Sequence, residues 1–423
     1  MIRRLVLCVL VMGLSCGLFG QENEDKKTNE KNNTDKKIEA LEQKVNELTE
    51  KLEKVEKQNE LNQLKERAEN LSRQKKKKVA DTGRKFHSGL RQQSALNPNI
   101  SMGGDFYAAF GTSKSDYNRI RSDNSCGTGR MFLREIELGV ESALDPFTRG
   151  KVFMGIGEEG IEVEEAYLQW LNFPLNMNLK MGQFKNQFGK LNRYHNHALP
   201  QFDRASVLVR FFGMECLNGF GLAGNFLLPS FLAHVNELDI EFVSGGDDHS
   251  FTSQGKQNFI TVFHLKNYYD INRSTYVEIG LSGAFGHHNA RETDQTRIGG
   301  ADITLKWAPP DKAKYRGIEW ITELLYSSRE TSAENINAFG FYSSVQCRLG
   351  AWWLISTRVD YTELPHYPSL KEKGISFACD FWQSEFVFLR LQYSYLDRNF
   401  EDNDHRLIFQ TCWAMGPHKH EAY

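Results

Sequence analysis

The feature that most constrains the fold is a two-residue alternation of apolar and polar side chains, which recurs from about Leu96 to near the end of the chain. In its last run, Leu407 and Phe409 alternate with Arg406 and Gln410. This alternation places one face of an extended strand in an apolar medium and the other in a polar one. Comparable runs begin at Leu175, Val277, Ala351 and Val387.

The length of these runs favours a membrane barrel. Soluble strands are commonly about five or six residues long, whereas about 9–11 tilted residues cross a bilayer, and the longer span matches the runs seen here. Turn-like segments such as 245–248, 308–311 and 364–368 separate the runs. We count about sixteen candidate strands, an even number as bacterial barrels require, and predict an all-β, antiparallel transmembrane barrel over 97–423.

The competing fold is a soluble β-sandwich or stacked β protein. It does not account for a secretion signal together with strands of membrane length. Trp307, Trp382 and Tyr395 also stand near predicted strand ends, a position typical of the aromatic girdles at membrane interfaces.

The first twenty residues have the pattern of a secretory signal peptide. Arg3 and Arg4 precede an apolar segment, Leu5 to Met12, and small residues follow up to Gly20. A segment this short predicts export with cleavage after Gly20, or lipid anchoring at Cys16 as the alternative. Together with the barrel, it predicts a location in a bacterial outer membrane.

Three segments separate the signal from the predicted barrel. Residues 21–37 have a disordered polar composition, 38–74 carry a heptad seam, and 75–96 form a basic linker. The seam consists of Ile38, Leu41, Val45, Leu48, Leu52 and Val55. It predicts a short coiled coil in the periplasm, with a single solvated helix as the alternative.

Composition excludes several classes of function. A formal net charge of −2 does not indicate a nucleic-acid partner. The cysteines after the signal are widely spaced without a CxxC pair, so we predict free thiols rather than a zinc knot. The chain has no GxSxG, HExxH or P-loop motif. We therefore predict no enzyme activity and no cofactor.

One segment, 189–213, lacks clean alternation and is rich in polar side chains. A long insert of this kind folds outward as a surface loop or inward to narrow the lumen, and we favour the inward arrangement. Its candidate constriction residues are Arg193, His195, His197, Asp203, Arg204 and Arg210. The alternative is that these side chains only attach the loop to the wall. His195 and His197 could bind a metal on one strand face, but such pairs are more often structural, so no metal site is predicted.

The predicted lumen face carries charges of both signs. Its basic candidates are Lys180, Lys306, Arg348, Arg358, Arg390 and Arg406, and acidic residues outnumber basic ones over the barrel region. Charges of both signs are expected where opposed walls create an electric field across the pore, or where side chains form ion pairs across the lumen. The densest acidic cluster is Glu158-Glu159 with Glu162, Glu164 and Glu165. We predict a solvated turn there, with a site for a divalent cation as the alternative.

A family resemblance is carried by the region around the insert and by the tail. The matching segments are Met181-Gly182-Gln183-Phe184, Phe188 to Asn192, His195-Asn196-His197, Leu199-Pro200, Asp203-Arg204, Phe211-Phe212-Gly213, Gly219-Phe220-Gly221 and Leu227-Leu228-Pro229. They resemble the phosphate-selective porin-like group and the zinc-regulated outer-membrane proteins. The tail departs from the second pattern, since His420 precedes the expected position, which holds Glu421.

This resemblance implies a trimeric barrel that carries small anionic or nutrient solutes. The lumen charges do not form the basic ladder that phosphate selectivity requires. We therefore predict a passive or weakly selective porin, a homotrimer in outer-membrane lipid, that passes small solutes or ions. The alternative is a structural or adhesive barrel with a plugged lumen.

Overall fold

The structure, a computed structural model, describes Lys44 and residues 98–112, 130–157, 160–244, 249–252, 254, 258–291, 293–332 and 334–416. The predicted signal peptide, polar segment, basic linker and C-terminal tail lie outside these residues. Of the predicted coiled coil, Lys44 alone lies within them. These assignments stay predictions.

The described chain forms a closed antiparallel barrel of sixteen strands, which confirms the predicted fold class and strand number. The strands are β1 (Asn99–Gly111), β2 (Arg130–Ala143), β3 (Thr148–Gly157), β4 (Gly160–Phe173), β5 (Met177–Lys185), β6 (Asn218–Leu228), β7 (Val235–Ser244), β8 (Phe259–Asn272), β9 (Thr275–His287), β10 (Gln295–Trp307), β11 (Gly317–Arg329), β12 (Ile336–Arg348), β13 (Trp353–Leu364), β14 (Tyr367–Ser384), β15 (Val387–Arg398) and β16 (Asp404–Met415). Short 3₁₀ turns cover Pro174–Asn176 and Asn196–Ala198, and one short helix, α1, covers Ser206–Phe212.

Each strand pairs with its neighbours in sequence, and β1 pairs with β16 to close the sheet. At this closure Met102 lies opposite Met415, and Asp105 lies opposite Cys412. Closure leaves no sheet edge, so the backbone N–H and C=O groups of the spanning strands find hydrogen-bond partners on neighbouring strands.

The two faces of the barrel follow the alternation in the sequence. On β16, Arg406, Ile408 and Gln410 are buried, whereas Leu407 and Phe409 are 44% and 46% exposed. Apolar side chains therefore cover the outer surface and polar ones project inward, as in transmembrane barrels. None of the helices in the described ranges is long and apolar enough to cross a membrane.

Three expectations need correction. The run beginning at Leu175 starts in a turn, because Leu175 and Asn176 have φ values of 67° and 53° that extended strands do not adopt. Trp382, expected in an interfacial girdle, instead packs against the buried Phe388 and lines the cavity at one end of the barrel. Glu164 and Glu165, expected in a solvated turn, are buried on β4.

Among the described cysteines, Cys216, Cys347 and Cys379 are free thiols and Cys412 is buried, in agreement with the prediction. Cys126 lies outside the described residues.

Candidate functional site: the insert and the cavity beneath it

The connection between β5 and β6, residues 186–217, lies inside the barrel, and we call it the insert. Its backbone and side chains hydrogen-bond to strands on opposite sides of the sheet, including Glu241 on β7, Glu323 on β11 and Gln392 on β15. A segment that reaches strands all round a closed barrel must cross its interior. The break in alternation at Gly189 therefore does mark an inward segment, which extends slightly beyond the predicted 189–213 at both ends.

One side of the insert is held by apolar packing. Val207, Leu208, Phe211 and Phe212 of α1 are buried in a cluster with inward side chains of the wall, such as Tyr342 on β12. The helix approaches β12 closely, because a Cβ at Gly340 would lie 2.5 Å from Val207 Cγ2. Residues from the connection between β7 and β8 cover the helix, where Ser250 Oγ donates to the Phe211 carbonyl at 2.6 Å.

The start of the insert is held by one buried carboxylate. Glu323 Oε1 accepts hydrogen bonds from the backbone N–H groups of Lys190 and Leu191 at 2.7 and 2.8 Å, and from the Tyr342 hydroxyl at 2.6 Å. Gly189 is required at this approach. Its φ is +59°, and a Cβ there would lie 2.3 Å from Glu323 Oε2.

The middle of the insert is attached to the opposite wall. Arg358 Nη2 lies 3.1 Å from Asp203 Oδ2, and its Nη1 donates to the Asp203 carbonyl at 2.7 Å. Gln392 Nε2 donates to Asp203 Oδ1 at 2.6 Å, and Gln392 Oε1 accepts from the Phe202 N–H at 2.8 Å. Burial raises the pKa of Asp203, but the Arg358 guanidinium and the Gln392 amide outweigh it and hold that pKa below its ordinary value.

His195 attaches the insert to a third region of the wall. Its Nδ1 lies 2.9 Å from Glu164 Oε2 and 3.1 Å from Glu137 Oε2, and its Nε2 lies 3.2 Å from Glu165 Oε2. Burial and the Lys185 ammonium lower the pKa of His195, but the hydrogen bonds to the three carboxylates outweigh them and raise it well above its ordinary value.

The six candidate constriction residues thus have different surroundings. Arg204 donates to the carbonyls of Leu191 and Tyr194 and so bonds within the insert. Arg210 pairs with Glu372 at 2.9 Å. Asp203 and His195 bind the wall as described, whereas Arg193 and His197 line the cavity. A role in constriction stays a prediction for all six, and cavity lining favours Arg193 and His197.

The six basic candidates for the lumen face all project inward, with different partners. Arg358, Arg390 and Arg406 are buried and paired with Asp360, Asp380 and Asp404. These partners lie on the same or the neighbouring strand, so much of the wall charge is neutralised locally rather than across the lumen. Lys180 Nζ lies 4.7 Å from the centre of the Tyr167 ring. Lys306, Arg348 and Arg390 line the cavity.

This cavity has a volume of about 980 Å³ and lies at the end of the barrel where β16 ends. The strand connections β10–β11, β12–β13 and β14–β15 surround it, and the insert forms its inner boundary. Two guanidinium groups there have no ion pair or hydrogen bond with any described residue. Arg193 lies 6.0 Å from the centre of the Tyr194 ring, and Arg348 lies 5.9 Å from that of Trp382.

Sequence reasoning missed several residues of this region. Lys190 lines the cavity and pairs with Glu278 at 2.9 Å, and Tyr194 lines the same cavity. Gln392 holds the insert through Phe202 and Asp203. Lys190 and Tyr194 belong to the segment that lacks alternation, and this position was the sequence feature that could have marked them as site residues.

Comparisons with known proteins agree with the architecture. No family model matches the chain. An uncharacterized protein of Aquifex aeolicus is 26% identical over 333 residues, which are 68% of this chain and 68% of that protein. Among solved structures, the outer-membrane channel DcaP of Acinetobacter baumannii has a TM-score of 0.53 at 11% identity, covering 77% of this chain and 99% of DcaP.

Two further structures have the same fold. An anion-selective porin from Comamonas acidovorans gives a TM-score of 0.50 at 8% identity, covering 75% of this chain and 99% of the porin. OmpT, an outer-membrane protein of Vibrio cholerae in trimer form, gives 0.51 at 7% identity, covering 75% of this chain and 99% of OmpT. At these identities the likeness shows the fold alone. The chain has the fold of the outer-membrane porins.

Proposed function

We propose that this protein is an outer-membrane channel for small solutes, with a preference for anions. The observation that carries the proposal is the insert inside the closed barrel, beneath which Arg193 and Arg348 line a cavity and form no direct ion pair with a described residue. Asp380 acts on Arg348, and Glu278 on Arg193, from farther away. An unpaired guanidinium attracts an anion by charge and by hydrogen bonding, and charged side chains at a narrow point select ions.

The lengths of the connections support an orientation. The connections at the cavity end are short, such as 273–274 and 385–386, whereas 112–129 and the insert belong to the opposite end. Short turns face the periplasm in bacterial barrels, so we place the cavity on the periplasmic side. Solutes then pass between the insert and the wall.

Single-channel recording of the refolded full-length protein in planar bilayers tests the proposal. In a potassium chloride gradient, we expect discrete conductance steps. The sign of the reversal potential should show that chloride permeates more readily than potassium. Replacing both Arg193 and Arg348 by Gln should move that potential toward cation preference. Lys373→Gln is the matched control, because this exposed lysine on β14 lies outside the cavity lining. An unchanged potential in the double variant would refute the anion preference.

A second candidate function is favoured by one observation. The insert contacts the wall on several sides, through Phe202 packed against Tyr107 as well as through α1 on β12. This arrangement suits a structural or adhesive barrel whose lumen is closed. Folded protein that inserts into bilayers without conducting would support this alternative and would contradict the channel.

We further propose a homotrimer, which brings three such barrels together in outer-membrane lipid. The outer surface supplies apolar side chains for both lipid and neighbouring copies, such as Phe377 and Leu391. Mass measurement of the protein in detergent by light scattering distinguishes the trimer from the monomer.

A further inference from the structure

A group of nitrogen and oxygen donors converges where the insert meets β2 and β4. His195 Nδ1 lies 2.9 Å from Glu164 Oε2 and 3.1 Å from Glu137 Oε2, and the donor atoms of these three residues all lie within 4.8 Å of one another. His197 Nδ1 lies 3.4 Å from the same Glu137 oxygen. All three central side chains are buried, so water does not complete their solvation as it would at the surface.

Carboxylates predominate around this group. Glu135, Glu137, Glu164 and Glu165 project toward it, and Lys185 supplies the nearest ammonium, 2.9 Å from Glu164 Oε2. Lys180 and Arg204 act on the group from farther away. The Glu135 and Glu164 carboxyls are also hydrogen-bonding neighbours, and two adjacent carboxylates repel unless a proton or a cation lies between them. Uncompensated buried charge is costly, so this location favours an added cation.

The spacing fits a metal ion. A transition metal binds imidazole nitrogen and carboxylate oxygen at about 2.0–2.2 Å, so neighbouring donors around it stand about 3 Å apart, as His195 Nδ1 does from the Glu137 and Glu164 oxygens. We propose that these three side chains form a binding site for one divalent transition metal ion such as Zn²⁺ or Mn²⁺. His197 lies close enough to Glu137 to contribute a further donor.

The donor set determines the class of ion. Calcium and magnesium prefer sites made wholly of oxygen atoms, whereas imidazole combined with carboxylate suits zinc, manganese and iron. Because His195 belongs to the insert and the glutamates to the wall, the ion would join the two. Metal binding at this site does not require that the barrel conducts ions.

Metal titration of the untagged full-length protein tests this proposal. After chelator treatment, isothermal titration with Zn²⁺ and electron paramagnetic resonance with Mn²⁺ should show one ion per chain. We expect His195→Gln and Glu137→Gln each to weaken binding at least tenfold. His264→Gln is the matched control, because His264 is also buried in the barrel but bonds to Ser282 at 2.8 Å, away from the site.

Folding of each variant is checked by circular dichroism, so that loss of binding is separated from loss of the barrel. Glu137→Gln preserves the shape of the side chain, so it tests the loss of a metal ligand if His195→Gln does not fold. The proposal is overturned if folded wild-type protein binds neither ion. It is also overturned if stoichiometric binding persists when His195→Gln and Glu137→Gln are combined, which would place the ion on other side chains.

Discussion

Arg358 on β13 and Asp203 in the insert form an ion pair across the barrel interior, with Nη2 and Oδ2 3.1 Å apart. The same guanidinium binds Asp360 through Nε at 2.7 Å. One wall residue therefore holds two carboxylates, and one of them belongs to the segment that occupies the lumen. This pair is one of several contacts that attach the insert to the wall.

Arg358→Ala should release the middle of the insert. Removing one partner of a buried ion pair costs about 3–5 kcal/mol, since Asp203 and Asp360 would be left without their cation. We expect a lower unfolding temperature and, in bilayers, larger or noisier conductance steps. Arg348→Ala is the control, because that arginine forms no ion pair with a described residue and should change stability little. Equal losses in the two variants would contradict the anchoring role.

Acidification should loosen the same contact. The pKa of Asp203 is held below its ordinary value, so its contribution to stability is present above the unfolded value of about 3.9. It is lost as pH falls through the lower folded value. The groups facing Asp203 are Arg358, Gln392 and, further away, Arg406.

Limited proteolysis of the insert with pepsin between pH 5 and 2 measures this loosening. We expect cleavage to increase as pH falls in wild-type protein. In Asp203→Asn the insert should already be more accessible at pH 5, with a smaller further change. A pH dependence identical in the two proteins would assign the effect to other carboxylates.

Gly189→Ala should disturb the entrance of the insert. A φ of +59° strains any residue with a Cβ, and the added atom would meet the Glu323 carboxylate at 2.3 Å. Left-handed strain alone costs of order 1–3 kcal/mol, and displacement of Glu323 would weaken its bonds to Lys190 and Leu191. Gly299→Ala is the control, because a Cβ there has nothing within 4 Å. Chemical denaturation compares the two, and equal stabilities would refute the close approach.

Phe211→Ala should destabilise the protein by about 3–5 kcal/mol, the usual cost of removing a buried phenylalanine ring. Phe211 on α1 is fully buried between the insert and the wall. Phe409→Ala removes the same atoms from the outer face, where the side chain is 46% exposed, and should cost less. Urea unfolding in lipid vesicles measures both changes. A smaller loss for Phe211 would mean that α1 is not packed as described.

The sequence alone was sufficient for the architecture. Strict alternation in runs such as Val387 to Tyr395 assigns each side chain to a face, because a strand has a period of two residues. Run length selected a membrane barrel over a soluble sandwich, and the loss of alternation after Gly189 located the insert. These are local properties, which can be read without knowing what lies opposite.

The partners of the site residues could not be read in this way. Asp203 meets Arg358 and His195 meets Glu137 and Glu164 only because the sheet closes and the insert turns inward. The sequence also did not show that Arg204 bonds to the insert backbone or that Arg210 pairs with Glu372. Residue type and spacing determined which side chains project inward. The tertiary structure decided which of them are neutralised and which, like Arg193, face the cavity, because ion pairing depends on distances between segments far apart in the chain.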